Sequence, residues 1–309
     1  MEIKIAREKG YCYGVRDAVD LAIDESKKSN SSPAPYPVYS LGPIIHNKQT
    51  IEMLENQYDV TAIDSVEDAK EGSTVVIRTH GTTPEKISEL QARNVNIVDA
   101  TCPFVQKTQR KAKEFVDNGY FLAILGKKAH PEVVSIAGFA GGEITPQGTV
   151  APTKKCAVVE YKEDLKDIPR SIKIAVVFQS TVTMEDFSWA LTAIAEKAYE
   201  LRVLKTICSI TITRQKSVDE VAKEVDTMII IGGKNSSNTK KLVEVAEQYV
   251  RTYHIENPEE LDAINLTNVN TVGIGTGTST PDSLVDEVVE RLHIIANPVK
   301  VGQSRVSSK

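Results

Sequence analysis

Short apolar runs alternate with helix-like stretches along most of the chain. The runs Thr74–Ile77, Phe121–Leu125 and Thr227–Ile231 are continuous and rich in β-branched or other apolar residues. Such runs are typical of parallel strands that helices cover on both faces. Further runs of this kind are Ile172–Phe178 and Val272–Ile274. From Phe104 onward the apolar residues follow a helical period that stops at Asn118. The pattern predicts an α/β fold with parallel sheets.

The polar loops between these elements form a pattern that occurs three times. Each third of the chain has a loop with one cysteine, a loop with histidine or with serine and asparagine, and a loop rich in threonine and serine. The third kind of loop carries an acidic residue near an expected helix start, which predicts repeated capping there. These acidic residues are Glu85, Glu185 or Asp186, and Asp282.

The repeat predicts three similar parallel-sheet domains in a pseudo-threefold arrangement around a common centre. Their predicted bounds are 12–100, 101–206 and 207–296, with an N-terminal strand in 1–11 that belongs to the third domain. The polar segment 297–309 is predicted to be a C-terminal tail. Since ligands of parallel sheets bind beyond the carboxyl ends of the strands, the loops are the expected site.

Composition narrows the class of protein. The 309 residues are 41% hydrophobic and 26% charged, as in ordinary globular proteins. A net charge of −5 and the lack of a Lys/Arg block argue against a nucleic-acid surface. The N-terminus does not resemble a signal peptide, and no apolar run reaches the ~20 residues of a membrane span. We expect a cytoplasmic protein.

Three cysteines occupy equivalent loops, where strands give way to helices. They are Cys12, Cys102 and Cys208, whereas Cys156 matches no position of the repeat and is expected to be a packing residue. Cys102 precedes Pro103 at a helix start, where the helix dipole favours thiolate. Three thiolates suit zinc, copper(I) or an iron–sulfur cluster. A 4Fe–4S cluster on three cysteines leaves one iron without a protein ligand.

Hydrogen-bond donors accompany the cysteine loops. His46, His80 and His130 lie in these loops, and the donors of the last third are Ser236, Ser237, Asn238 and Ser279. Such donors at helix starts and glycine-rich turns suit phosphate or diphosphate. Glu132 follows His130 by two residues and is either a proton donor or a first-turn residue that complements the helix dipole.

Taken together, these motifs resemble those of the 4-hydroxy-3-methylbut-2-enyl diphosphate reductase family, which performs the last step of the non-mevalonate isoprenoid pathway. The resemblance extends from Ile3 to about Ala296 and keeps the order of the motifs. The motifs are GYCYGV around Cys12, IHN around His46, THG around His80, DATCP around Cys102, AHPE around His130, GKNSSN ending at Asn238, and STP from Ser279.

The resemblance implies three α/β domains around a central cleft, with a 4Fe–4S cluster on the three cysteines. The substrate hydroxyl is then expected on the open iron, and two electrons with two protons remove it as water. The resemblance also implies that the diphosphate contacts the histidine, serine and asparagine residues named above, and that Glu132 relays a proton. Ser180 stands where the family commonly has threonine and is expected to keep the role of that hydroxyl. A ferredoxin- or flavodoxin-type donor is the implied partner.

Two other kinds of protein compete with this interpretation. The first is a hydrolase that holds zinc on the three cysteines, and such an enzyme needs no electron donor. A non-enzymatic iron–sulfur sensor normally presents a basic DNA-binding face, and this acidic chain offers none.

Overall fold

The structure is a computed structural model in which residues 1–296 are described, so the predicted tail 297–309 lies outside the described residues. The strands of the described part, in chain order, are β1 (Glu2–Ile5), β2 (Val38–Leu41), β3 (Val60–Ile63), β4 (Thr74–Ile77), β5 (Asn96–Asp99), β6 (Phe121–Leu125), β7 (Glu143–Ile144), β8 (Val150–Ala151), β9 (Cys156–Val159), β10 (Ser171–Phe178), β11 (Ala198–Val203), β12 (Thr227–Ile231), β13 (Arg251–Ile255) and β14 (Thr271–Thr276).

The helices, in chain order, are α1 (Tyr13–Asn30), α2 (Lys48–Tyr58), α3 (Pro84–Ala92), α4 (Pro103–Asp117), α5 (Pro131–Phe139), α6 (Ser188–Ala195), α7 (Ser209–Ala222), α8 (Ser237–Ala246) and α9 (Asp282–Ala296). Proline occupies the first position of α3, α4 and α5 and explains their sharp starts. Proline lacks a backbone N–H group, and at this position that group would have no partner within the helix. Among the described residues, none of the helices combines the length and apolar character that a bilayer crossing requires.

Three four-stranded parallel sheets share one strand order. The sheets are β3-β2-β4-β5, β9-β6-β10-β11 and β13-β12-β14-β1. In each, the two central strands have neighbours on both sides, and β4, β6 and β12 are buried along their whole length. The prediction of α/β architecture with several parallel sheets is confirmed. A two-stranded antiparallel sheet, β7 with β8, lies between α5 and β9 in chain order.

The chain divides into two compact units. The contiguous unit is Cys12–Ile212, and the split unit combines Met1–Tyr11 with the chain from Thr213 onward. Within the split unit, β1 pairs in parallel with β14, with Glu2 opposite Thr271. The finer boundaries near residues 101 and 207 remain predictions.

Two of the three predicted acidic helix starts are confirmed, and the third is wrong. Glu85 lies in the first turn of α3 and Asp282 in that of α9. Helix α6, however, begins after Phe187, and no side chain caps it. The Asp186 carboxylate instead accepts a hydrogen bond of 3.0 Å from the backbone N–H of Thr183, which closes a turn before the helix.

Candidate functional site

Three thiols of the contiguous unit lie at or next to helix starts. Cys12 and Cys102 are the N-cap residues of α1 and α4, and Cys208 directly precedes α7. Neither the Cys12 nor the Cys102 side chain makes a capping hydrogen bond. All three are half-buried free cysteines, whereas Cys156 is fully buried within β9 and packs in the core as predicted.

The cysteine loops approach one another closely. A Cβ atom added at Gly14, two residues after Cys12, would lie only 2.6 Å from the Cys102 sulfur. Only glycine therefore fits at this position without displacing the thiol. The charges of Cys12 and Cys208 both influence the pKa of Cys102, which shows that the three sulfurs share one neighbourhood.

The helix start favours the Cys102 thiolate as expected, but burial acts more strongly in the opposite direction. Burial raises the pKa of the Cys102 thiol to about 11, and the neighbouring cysteines add to this increase. The backbone N–H groups of Phe104 and Val105, at the start of α4, lower the pKa as the helix-dipole argument expects, but burial outweighs them.

One group of three candidate metal ligands found among the described residues has donor atoms that all lie within 4.8 Å of one another, and it consists of His46, His80 and His130.

Three imidazoles form a second cluster in the same unit. The ring centroids of His46 and His80 are 4.6 Å apart, those of His80 and His130 are 5.2 Å apart, and those of His46 and His130 are 6.0 Å apart. His46 follows β2, His80 follows β4, and His130 caps α5. The structure thus brings together the three histidines predicted from sequence, which are far apart in the chain.

The histidine cluster is electrically neutral near pH 7. Burial lowers the pKa of His46, lowers that of His80 well below its usual value, and lowers that of His130 to about 3. The His130 Nδ1 accepts a hydrogen bond of 3.2 Å from the Glu132 N–H, so the neutral ring carries its proton on Nε2. The buried His80 Nδ1 has no hydrogen-bond partner in the described chain. These rings can therefore donate to an anionic ligand.

Glu132 is fully buried in the first turn of α5 and is held by Ser180. Its Oε1 accepts from the Ser180 backbone N–H and its Oε2 from the Ser180 hydroxyl, each at 2.7 Å. Burial raises the pKa of Glu132 to about 7, although both hydrogen bonds from Ser180 lower it. The increase comes from burial and not from neighbouring negative charge.

Backbone hydrogen bonds connect these groups. The Cys208 N–H donates to the Ser180 carbonyl at 2.9 Å, and the Cys102 N–H donates to the Thr79 carbonyl, next to His80, at 3.0 Å. The cysteine loops are thereby joined to the carboxyl group and to the histidine cluster. This connection involves residues far apart in the chain, so no local sequence signal reveals it.

Sequence reasoning missed Ser135 in α5. Its buried hydroxyl lies 2.9 Å from the carbonyl oxygens of both His80 and Glu132 and accepts a hydrogen bond from the Gln109 amide. It therefore fixes the backbone positions of a histidine and of the carboxyl residue. A serine within a helix gives no sign of this role.

The polar residues predicted in the last third lie in the split unit. They follow β12 and β14, which are neighbours in the sheet. The Ser236 hydroxyl caps α8 by accepting from the Thr239 N–H at 3.2 Å. Ser237 begins α8, and Ser279 lies in the loop between β14 and α9; both are half-buried. The Asn238 amide is buried, and within the described chain neither its oxygen nor its nitrogen has a partner.

Arg214 is a second residue that sequence reasoning missed. It is 1% exposed, and its guanidinium donates to the carbonyl oxygens of Gly10, Thr276 and Gly277 at 2.9–3.0 Å. These bonds fix the end of β14, from which the Ser279 loop continues. The motif TRQ in the sequence carries no sign of these distant partners.

Comparison with known proteins identifies the family. The model of the LytB protein family matches residues 3–293. The 4-hydroxy-3-methylbut-2-enyl diphosphate reductase of Geobacter sulfurreducens is 38% identical over 97% of this chain and 100% of its own length. That of Aquifex aeolicus is 39% identical over 96% of this chain and 97% of its own.

Solved structures agree with this assignment. A structure of (E)-4-hydroxy-3-methyl-but-2-enyl diphosphate reductase, the terminal enzyme of the non-mevalonate pathway, superposes with a TM-score of 0.70 at 38% identity, covering 95% of this chain and 99% of that one. The fold is also that of a Plasmodium falciparum reductase, with a TM-score of 0.83 at 23% identity, covering 96% and 89% of the two chains. The chain therefore belongs to the LytB family, as the family model and the similarity to these diphosphate reductases show.

Proposed function

We propose that this reductase removes the hydroxyl group of 4-hydroxy-3-methylbut-2-enyl diphosphate as water and forms isopentenyl and dimethylallyl diphosphate. The reaction consumes two electrons and two protons: the allylic C–O bond breaks, a C–H bond forms, and one proton leaves with the hydroxyl. The observation that carries the proposal is a buried carboxyl group, Glu132, with a pKa of about 7, joined by short hydrogen-bonded paths to a cysteine loop and a histidine cluster.

Cys12, Cys102 and Cys208 would hold the cluster. The missing side chain at Gly14 leaves space beside the Cys102 sulfur for such a group. A 4Fe–4S cluster on these thiols supplies the electrons and an iron without a protein ligand. An external donor of ferredoxin or flavodoxin type would deliver the electrons, and free thiols of this kind are consistent with a reducing cytoplasm.

The chain's own residues bind and orient the diphosphate. His46, His80 and His130 are neutral and donate ring N–H groups to phosphate oxygens. The unpartnered Asn238 amide in the split unit would gain its missing hydrogen bonds from the same ligand class. We assign Ser236, Ser237 and Ser279 to diphosphate binding as well.

Glu132 would hold the proton that leaves with the hydroxyl. A carboxyl group with a pKa near 7 is largely protonated just below neutral pH, which suits a general acid. The two bonds from Ser180 fix its orientation, so that it needs no rearrangement before the proton moves.

The proposal is tested by anaerobic turnover of iron-loaded protein with the allylic diphosphate and a chemical reductant, with products identified by mass spectrometry. We expect the two isoprenoid diphosphates when reductant is present and neither of them without it. Iron-loaded protein that yields neither product, or that releases inorganic phosphate without reductant, contradicts the proposal. The second result is the outcome expected of a zinc hydrolase.

A further inference from the structure

Arg78 lies beside the histidine cluster and has no role in the function described so far. It directly follows β4, two residues before His80, and its side chain extends over Gly42 at the end of the neighbouring strand β2. A Cβ atom at Gly42 would lie 2.6 Å from Nη1 of Arg78, so this glycine makes room for the guanidinium. The backbone of Gly42 has φ +72°, which also favours glycine.

The Arg78 side chain is half-buried, and its guanidinium has no partner among the described residues. In the part of the chain that the structure describes, it forms no ion pair or hydrogen bond, and it is not among the residues with further interactions. Burial lowers the pKa of Arg78, and the charge of the exposed Asp64, after β3, raises it by less. Removing a charge from water is costly unless a counter-charge completes the site.

The charge of Arg78 acts on all three imidazoles of the histidine cluster. It contributes to the lowered pKa of His46, of His80 and of His130, so Arg78 lies within electrostatic reach of all three. Lys127 adds a positive charge near His130. Because the rings themselves are neutral, they offer hydrogen bonds to a diphosphate but no balancing charge. A guanidinium provides both a permanent charge and a planar pair of donors that matches phosphate oxygens.

We propose that Arg78 is a specificity-determining residue that supplies the permanent positive charge for recognition of the substrate diphosphate at the histidine cluster. This inference rests on the proposed function and deepens it. Arg78 then makes the protein bind the more highly charged diphosphate more tightly than a single phosphate. Recognition of the diphosphate also gives a function to a guanidinium with which no acidic side chain pairs in the described part of the chain.

The test uses anaerobic, iron-loaded protein and inorganic diphosphate as the probe. Calorimetric affinity is measured for the wild type, Arg78→Gln, Arg78→Lys and the control Arg110→Gln, which removes a charge from the exposed face of α4. We expect Arg78→Gln to weaken diphosphate binding by about 10-fold or more, the value of one charge-assisted hydrogen bond. Arg78→Lys should recover part of this loss, and Arg110→Gln should bind like the wild type.

Further measurements separate recognition from a structural role. Inorganic phosphate should lose less affinity than diphosphate in Arg78→Gln, and added salt should weaken diphosphate binding less in this variant than in the wild type. In turnover of the allylic diphosphate, the loss should fall on KM more than on kcat, with the visible spectrum of the cluster retained. If Arg78→Gln fails to fold, the comparison of Arg78→Lys with the wild type, in affinity and salt dependence, takes its place.

Several outcomes overturn the inference. Diphosphate affinity of Arg78→Gln within twofold of Arg110→Gln shows that Arg78 does not recognise the ligand. An equal loss for phosphate and diphosphate, or a changed cluster spectrum, shows a structural role. Wild-type protein that binds diphosphate through Arg78 but gives no isoprenoid product contradicts the proposed reaction and leaves the Arg78 inference supported, so the two failures are distinguishable.

Discussion

Ser180 holds both carboxylate oxygens of Glu132, one through its backbone N–H and the other through its hydroxyl, each at 2.7 Å. The two residues are 48 positions apart in the chain. Since the same residue's carbonyl accepts from the Cys208 N–H, a displacement of Ser180 would affect a proton donor and a thiol loop together.

Glu132→Gln tests the proton-donor role. The amide keeps the size and most hydrogen bonds of the carboxyl group but cannot deliver a proton. We expect turnover to fall by about 10²-fold or more with near-normal substrate affinity, because general acid catalysis contributes that much. Anaerobic steady-state kinetics check this, with Glu89→Gln on the exposed face of α3 as the control. Turnover within a few-fold of the wild type, with stability lower by only about 0.3–1 kcal/mol, would indicate a dipole-complementing residue instead.

The Ser180 hydroxyl is tested by Ser180→Ala and Ser180→Thr. Alanine removes one of two hydrogen bonds that lower the pKa of Glu132, so that pKa should rise further. Because the protonated form is the active one, the decline of kcat at high pH should move to higher pH, while kcat itself falls about 5-fold from looser positioning. Threonine keeps the hydroxyl and should behave like the wild type. A pH profile of Ser180→Ala that coincides with the wild type contradicts the assignment.

Local signals predicted the elements of the fold well. Helix α4 begins at Pro103 and its C-cap is Asn118, as the proline and the Asn-Gly pair indicate, and β4, β6 and β12 have the predicted bounds. These features depend on residues close in sequence. The capping role expected near Asp186 failed because the same residue types also close isolated turns, and the choice depends on packing around α6.

The sequence predicted which residues form the candidate site, but not how burial changes their pKa values. The repeat indicated which loops matter, and the three histidines do meet. The pKa of Cys102, however, depends on burial by distant parts of the chain, which the local helix-dipole argument does not include. The contacts of Ser135 and the isolation of Arg78 likewise arise from side-chain packing, for which the sequence contains no pattern.

Iron content separates the three proposed ligands from the packing cysteine. Replacing Cys12, Cys102 or Cys208 with serine should deplete iron and abolish activity, because a hydroxyl is a poor substitute for a soft thiolate. Cys156→Ser is the matched control and should retain both, at the cost of some packing in the core. Iron analysis and visible absorption of anaerobically purified protein measure the difference. If Cys156→Ser loses the iron and one of the other variants keeps it, the ligand assignment is wrong.

The Ser236 and Asn238 variants should differ in whether the free energy of unfolding changes. Ser236→Ala loses the N-cap of α8 as well as a proposed diphosphate contact, so it should lower the free energy of unfolding by about 1 kcal/mol in addition to weakening substrate binding. Asn238→Ala removes an amide without a protein partner and should weaken only substrate binding, by roughly 1–3 kcal/mol, as should Ser237→Ala, with the cluster spectrum retained. Denaturant unfolding and substrate titration distinguish the two effects. A loss of fold in Asn238→Ala would indicate a structural amide.

Glu132 also makes stability depend on pH. Its folded pKa of about 7 lies above its ordinary value of 4.5, so the folded state binds the proton more tightly. The stabilisation is complete below pH 4.5 and is lost as pH rises to about 7, by up to about 3 kcal/mol. The stability of the wild type relative to Glu132→Gln should therefore decrease from pH 5 to pH 8 in denaturant titrations. The histidines act in the opposite direction, because a lowered pKa costs stability as pH falls below 6.5. If the free energies of unfolding of the wild type and Glu132→Gln differ by a constant amount from pH 5 to pH 8, the raised pKa of Glu132 is contradicted.

The pairing of β1 with β14 has a consequence for the order in which the protein can be completed during synthesis. Glu2 leaves the ribosome long before its partner Thr271 is made. The contiguous unit, Cys12–Ile212, has all its residues available as soon as Ile212 has emerged, and domains fold in the order of their synthesis. The three thiols can thus reach their folded surroundings while translation continues. Strand β1, in contrast, has no partner strand until β14 has been made.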